Sequence, residues 1–312
     1  MPPTPDTIVK VGKCARTGVE VSICYNAFGD PKHPCILLVM GMMSVGMFWR
    51  DEFCERIAAC GYYVIRYDNR DVGLSTRFSG FDGPHVARMI LPRMLSFGEK
   101  VPYTLEEMAA DGMNLLTALG INEAHVVGSS MGGMIVQLMA IQYPTRVRSL
   151  SIIYSHTGNP NRVREGWKVK LGFLEKPVSS AFEDLVEFKC RLACRMAGCG
   201  YSFDQDKCRD FMRKVLKRAS DDSMSLRRHL SAVQRAKSRV EGLRGLKTPT
   251  LVIHGMRDEI VPYENGIEIA KVIGRSAKLV LFPLMGHAIP EELFPAIAQE
   301  IVWNAQRADA NE

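Results

Sequence analysis

Along this chain, short unbroken apolar runs alternate with stretches in which apolar residues recur every three or four positions. The runs fall at 35–40, 62–67, 126–127, 147–154, 250–253 and 277–282. Continuous apolar strands are those covered on both faces, as in a parallel sheet. Between them, helical spacing predicts helices over 47–60, 104–119, 134–143, 264–272 and 291–308. Thr104 and Glu107 have capping-box spacing, and Gly120 follows the last periodic residue. Segments 8–13 and 19–25 read as two strands joined at Arg16-Thr17-Gly18. Residues 1–6 carry no pattern and are expected to be disordered. Strands alternating with helices imply an α/β fold, a mostly parallel central sheet with helices on both faces.

The middle of the chain departs from this rhythm. From 155 to 245 the strand signals stop, and helical patterns remain at 181–196, 207–219 and 225–240. The expected organisation is therefore a core formed by 1–154 and 246–312, with 155–245 inserted as a helical lid. The formal net charge is +6, and much of the excess lies between Lys189 and Arg244. There the basic residues alternate with apolar ones, as on solvated helix faces. Neither aromatic platforms nor a reader motif accompanies them, so nucleic acid is not an expected partner.

Nine cysteines among 312 residues have no disulfide-framework spacing. No basic segment followed by an apolar stretch opens the chain, and no apolar run reaches bilayer length. The expectation is a cytoplasmic protein with reduced thiols. Cys190, Cys194, Cys199 and Cys208 lack the Cys-x-x-Cys knuckles of zinc modules, and Cys190 and Cys194 read as neighbours on one helix face, not a metal site. No Gly-x-Gly-x-x-Gly or phosphate loop is present, so no cofactor is expected.

The chemistry gathers at Gly128-Ser129-Ser130-Met131-Gly132-Gly133, where an apolar strand turns into a helix. Gly-x-Ser-x-Gly in that setting is a nucleophile elbow: the serine is strained, its hydroxyl stands clear of the sheet, and the flanking glycines avoid collisions. Ligands in such sheets sit beyond the carboxyl ends of the strands. After 250–253 comes His254-Gly255-Met256-Arg257-Asp258-Glu259, and after 277–282 comes Pro283-Leu284-Met285-Gly286-His287. Ser130, Asp258 and His287 thus stand in a known triad order, as nucleophile, orienting acid and base. Glu259 is a rival acid next door, and Asp258 is preferred for its place in the loop. His254 reads as a support for the acid loop; His125 and His33 read as structural or exposed. The backbone N–H groups of Met131 and Met42 are the expected oxyanion donors. Gly41, Met43, Met47 and Met285 fall near this centre, where methionines either fill core gaps or line an adaptable apolar pocket for an acyl or alkyl group.

These motifs resemble the α/β-hydrolase superfamily over nearly the whole chain. Asp68-Asn69-Arg70-Asp71-Val72-Gly73-Leu74-Ser75 is similar to the family's Asp-x-Arg-Gly-x-Gly-x-Ser loop, with Asp71 in place of glycine. Met40 stands where many members have the histidine of His-Gly. The Arg-Tyr-Asp-x-Arg-Asp stretch is similar to that of small esterases of the aclacinomycin methylesterase type. The resemblance implies a serine esterase-like hydrolase cleaving an ester, thioester or lactone of a small-molecule substrate. Carbon–carbon bond hydrolases and enol-lactonases share Ser-Met-Gly-Gly and stay open as alternatives. So does a binding protein that keeps the fold without the chemistry.

Overall fold

The computed structural model describes residues 2–83, 101–164, 175–198, 200–219 and 223–310, together with positions 166, 169 and 172. Eight strands form one sheet: β1 (Thr7–Lys13), β2 (Glu20–Phe28), β3 (Cys35–Val39), β4 (Tyr63–Tyr67), β5 (Ala124–Ser129), β6 (Val147–Ile153), β7 (Thr250–Gly255) and β8 (Ala277–Phe282). Their order is β1-β2-β4-β3-β5-β6-β7-β8. β1 and β2 pair antiparallel with each other, β2 pairs antiparallel with β4, and every later pairing is parallel.

Alternation along the strands sends successive side chains to opposite faces. In β3, Cys35, Leu37 and Val39 enter one core cluster while Ile36 and Leu38 enter the other. The first cluster is covered by α2 (Leu105–Ala118), α3 (Met131–Gln142) and α8 (Glu264–Ile273). The second is covered by α1 (Asp51–Ala58) and α9 (Phe294–Asp309). The Thr104–Glu107 capping box forms at the start of α2.

Between β6 and β7 lie α4 (Phe182–Ala197), α5 (Gln205–Arg218), α6 (Ser223–Arg235) and the single turn α7 (Val240–Leu243). Met212 and Leu216 of α5 pack on Val186 and Cys190 of α4 in a small cluster of their own. Cys194 is on α4 too and Cys208 on α5; Cys199 lies outside the described residues.

Four expectations need correction. Residues 2–6 are not loose: Thr4 bonds Ala27 through main chain and side chain, and Asp6 is held by Asn26 at 2.9 Å and Arg218 at 2.6 Å. The helix expected over 47–60 is interrupted, because Trp49 and Arg50 are extended between a short 3-10 turn, Gly46–Phe48, and α1. Gly46 permits that break: a Cβ there would lie 2.9 Å from the Tyr67 carbonyl oxygen, and its N–H donates to Asp68. The helix expected over 225–240 stops at Arg235. Arg239 then turns inward, donating to Gln137 and the His156 carbonyl. The last helix opens with a 3-10 turn, Glu291–Leu293, before α9.

The register brings the strand ends together. Val39 of β3 is level with Gly128 of β5, Ser129 with Ile153 of β6, and Ile153 with Ile253 of β7. The loops leaving β3, β5, β6, β7 and β8 therefore emerge side by side at one edge of the sheet.

Candidate active site

At that edge β5 turns into α3 through Ser130, whose φ of 55° and ψ of −119° form a backbone that few side-chain-bearing residues adopt. Two glycines make the turn feasible. A Cβ on Gly128 would sit 2.2 Å from the Gly132 carbonyl oxygen, and one on Gly132 would sit 2.1 Å from the Val39 carbonyl oxygen. The Ser130 N–H donates to Ile153, and its carbonyl accepts from the Ser155 hydroxyl at 2.8 Å. The strained residue is thus pinned on both sides of its Cα.

The three sequence-predicted side chains meet here. His287 Nε2 lies 2.9 Å from Ser130 Oγ, and His287 Nδ1 lies 2.7 Å from Asp258 Oδ2. A carboxylate can only accept, so Nδ1 carries the proton and Nε2 presents its lone pair to the serine hydroxyl. The other Asp258 oxygen accepts from the N–H groups of Ile260 and Val261 at 2.9 and 2.8 Å. Burial works against ionising Asp258, but the positive charge that His287 carries whenever its ring is protonated, with the hydrogen bonds from His254 and His287, outweighs it and holds the carboxyl at about 2. Glu259 points to solvent. His254 Nε2 donates to the Val261 carbonyl at 2.8 Å and lies 3.5 Å from Asp258, bracing the acid loop.

The two expected oxyanion donors come from different loops of this edge. Met131 opens α3 directly after Ser130 and is buried. Gly41 lies against the serine, since a Cβ there would be 3.1 Å from Ser130 Cβ, and Met42 follows it. Around them, Met43 has a φ of 59°, Met47 packs beside Val45, Val72 and Val215, and Met285 is fully buried among Ile153, Tyr154 and Ile253. His125 is buried against Ser149, and His33 is exposed.

Two contacts were not legible beforehand. The Tyr154 ring, whose φ is 37°, stands 4.6 Å from the His287 ring; its only sequence signal was its place at a strand's carboxyl end. The His287 N–H donates to the Met196 carbonyl at the end of α4, at 2.7 Å, and a main-chain contact leaves no residue signature. Among the described residues no group of His, Cys, Asp and Glu is arranged to hold a metal ion. No helix among them is long and apolar enough to cross a membrane.

Comparisons with known proteins agree with this architecture. The rhodomycin D methylesterase of a Streptomyces species is 29% identical over 314 aligned residues, covering 93% of this chain and 96% of that protein. Its counterpart from Streptomyces peucetius is 28% identical, covering 94% and 97%. The solved structure of a thermophilic esterase from Thermogutta terrifontis superposes with a TM-score of 0.69 at 21% identity, covering 97% of this chain and 99% of that one. The alpha/beta hydrolase fold family matches residues 34–292, and with the sheet order and the strand–serine–helix turn in place, the chain belongs to the α/β-hydrolase family.

Proposed function

We propose that this protein is a cofactor-independent serine hydrolase that cleaves a carboxylic ester, with methyl esters of medium-sized apolar molecules as its first substrate class. The observation that carries the reading is the continuous hydrogen-bonded line from Ser130 Oγ through His287 to Asp258. A serine hydroxyl alone is a poor nucleophile near neutral pH and needs an adjacent base. Ser130 Oγ attacks the ester carbonyl carbon while its proton passes to His287 Nε2. The N–H groups of Met42 and Met131 receive the developing oxyanion. His287 then gives that proton to the leaving alcohol, and the acyl group stays on Ser130. Water, deprotonated by His287, attacks the acyl-enzyme and releases the acid. Asp258 holds the ring and stabilises the imidazolium throughout.

The similarity to two methylesterases supports the ester over a carbon–carbon bond or an enol-lactone. Residues 155–245 are read as a cap over this edge, and the Met196–His287 bond supports that placement. Gly41, Met43 and Met47 line the acyl side of the pocket in this reading, with Met285 beneath it.

Ser130→Ala tests the proposal. Turnover of a p-nitrophenyl ester is expected to fall on the order of 10⁶-fold in kcat, and labelling by a fluorophosphonate to vanish. Full turnover in that variant would refute the assignment, and a wild type that is folded yet never labels would favour the binding-protein reading.

A further inference from the structure

His229 of α6 is fully buried, and both of its ring nitrogens are spent on main chain from the core. Nε2 lies 2.9 Å from the Arg70 carbonyl oxygen in the loop after β4. Nδ1 lies 3.3 Å from the Met43 nitrogen in the loop after β3. A carbonyl can only accept, so Nε2 carries the proton and Nδ1 accepts from the Met43 N–H. One histidine from the inserted segment therefore ties together two loops of the sheet edge.

The loop it holds lies against Ser130, since a Cβ on Gly41 would be 3.1 Å from Ser130 Cβ. Gly41, Met42, Met43 and Ser44 form a turn closed by the Ser44 N–H on the Gly41 carbonyl at 3.5 Å. Met43, the third residue, has a φ of 59°, where such turns ordinarily place glycine. A non-glycine residue stays in that region only when its surroundings hold it. Here the Met42–Met43 peptide is held at both ends: the Ser44 hydroxyl donates to the Met42 carbonyl at 3.3 Å, and His229 takes the Met43 N–H. Fixing this peptide sets ψ of Met42 and φ of Met43, and with them the path of Gly41 and Met42 beside the nucleophile.

We infer that His229 is a positioning residue for the oxyanion loop, so that the inserted helical segment helps to build the site as well as cover it. The inference rests on the hydrolase reading above for its catalytic consequence. The seat of His229 is itself rigid. The preceding residue, Arg228, donates to both oxygens of buried Asp71 at 2.8 and 2.9 Å, and the Tyr103 hydroxyl donates to the same carboxylate. Around the ring stand Asp71, Arg228, Arg70 and the edge of Tyr103. Burial first, then the charges of Arg228 and Arg70, lower the basicity of His229 despite Asp71 and the Arg70 carbonyl. A neutral ring is what the acceptor role requires.

The test compares His229→Phe, which fills the space without an acceptor, with His229→Asn, whose side-chain oxygen can stand near the Nδ1 position. Two readouts are used: kcat and KM on p-nitrophenyl acetate, and hydrogen exchange of the Met43 amide. In His229→Phe the Met43 amide should exchange faster and kcat should fall about 10²-fold, the scale of a misplaced reacting geometry, with KM little changed. His229→Asn should recover much of both. Unchanged Met43 exchange or wild-type kcat in His229→Phe overturns the inference, as does a loss that follows the melting temperature and is not recovered by asparagine. Failure of the hydrolase reading looks different: wild type and Ser130→Ala would then turn over alike, whatever the Met43 amide does.

Discussion

Ser130 holds an unfavourable backbone because its neighbours leave no alternative, and those neighbours are the most sensitive residues at the site. Gly132→Ala would drive a methyl group into the β3 backbone at Val39, with no flexible atom to yield. It is expected to cost more than about 3 kcal/mol, the upper end for overpacking, read as a lowered urea midpoint. The acid is equally specific. Asp258→Asn keeps the shape but favours the wrong histidine tautomer, so kcat should drop about 10⁴-fold with the fold intact. Glu259→Gln, one position along and exposed, should leave turnover unchanged. Equal losses in both variants would overturn the proposal of Asp258 as the acid.

At the scale of elements, the helices between β6 and β7 meet the rest of the chain through charge as well as apolar contact. Arg228 meets Asp71 with both side chains buried, and Arg218 of α5 reaches Asp68 at 2.7 Å. Asp71 replaces the glycine of the family loop and has a φ of 68°; its charge finds its partner on α6. Removing one member of such a pair leaves an uncompensated buried charge. Arg228→Met should therefore destabilise by about 3–5 kcal/mol, and Asp71→Asn in the same chain should restore part of it. Calorimetry of the single and double variants would show this, and additive losses would mean the two residues are not coupled. Among the same helices, α4 closes against Gly286, where a Cβ would lie 2.5 Å from the Met196 carbonyl oxygen. Gly286→Ala should push that helix end away and break its bond to the His287 N–H, lowering kcat more than stability.

Over the whole molecule, acid is the condition that strains the fold. Burial lowers the basicity of His125 to about 4 despite Asp309 nearby, and His156 and His229 are depressed as well. Such groups are neutral in the folded chain and take up protons when it unfolds. Their contribution is complete above the ordinary histidine value of about 6.5 and is lost as pH falls toward the folded values. Asp258 adds a second acid-labile contribution, intact above about pH 4 and lost toward pH 2. Urea unfolding should therefore show stability falling steadily from pH 7 to pH 4.5, with a shallower slope in His125→Asn. A flat profile over that range would show that these histidines are protonated in the fold.

Much of this was readable from one dimension. Apolar runs and helical spacing marked the alternating strands and helices, because burial on two faces or on one stripe leaves a short-range signature. The elbow was readable because steric demand at Gly128 and Gly132 permits so few residues, and Asp258 and His287 because strand ends are where loops can carry chemistry. What lay beyond reach depended on partners distant in sequence. Asp6 is ordered by Arg218, the break at Trp49-Arg50 follows from Gly46 packing on Tyr67, and α6 ends where Arg239 turns toward Gln137. No local pattern marks His229; only the fold sets its ring between Met43 and Arg70. Local patterns record which face of an element is buried; only the packed chain decides which buried polar atoms find each other, since each such pairing is a choice among all the loops that reach the same edge.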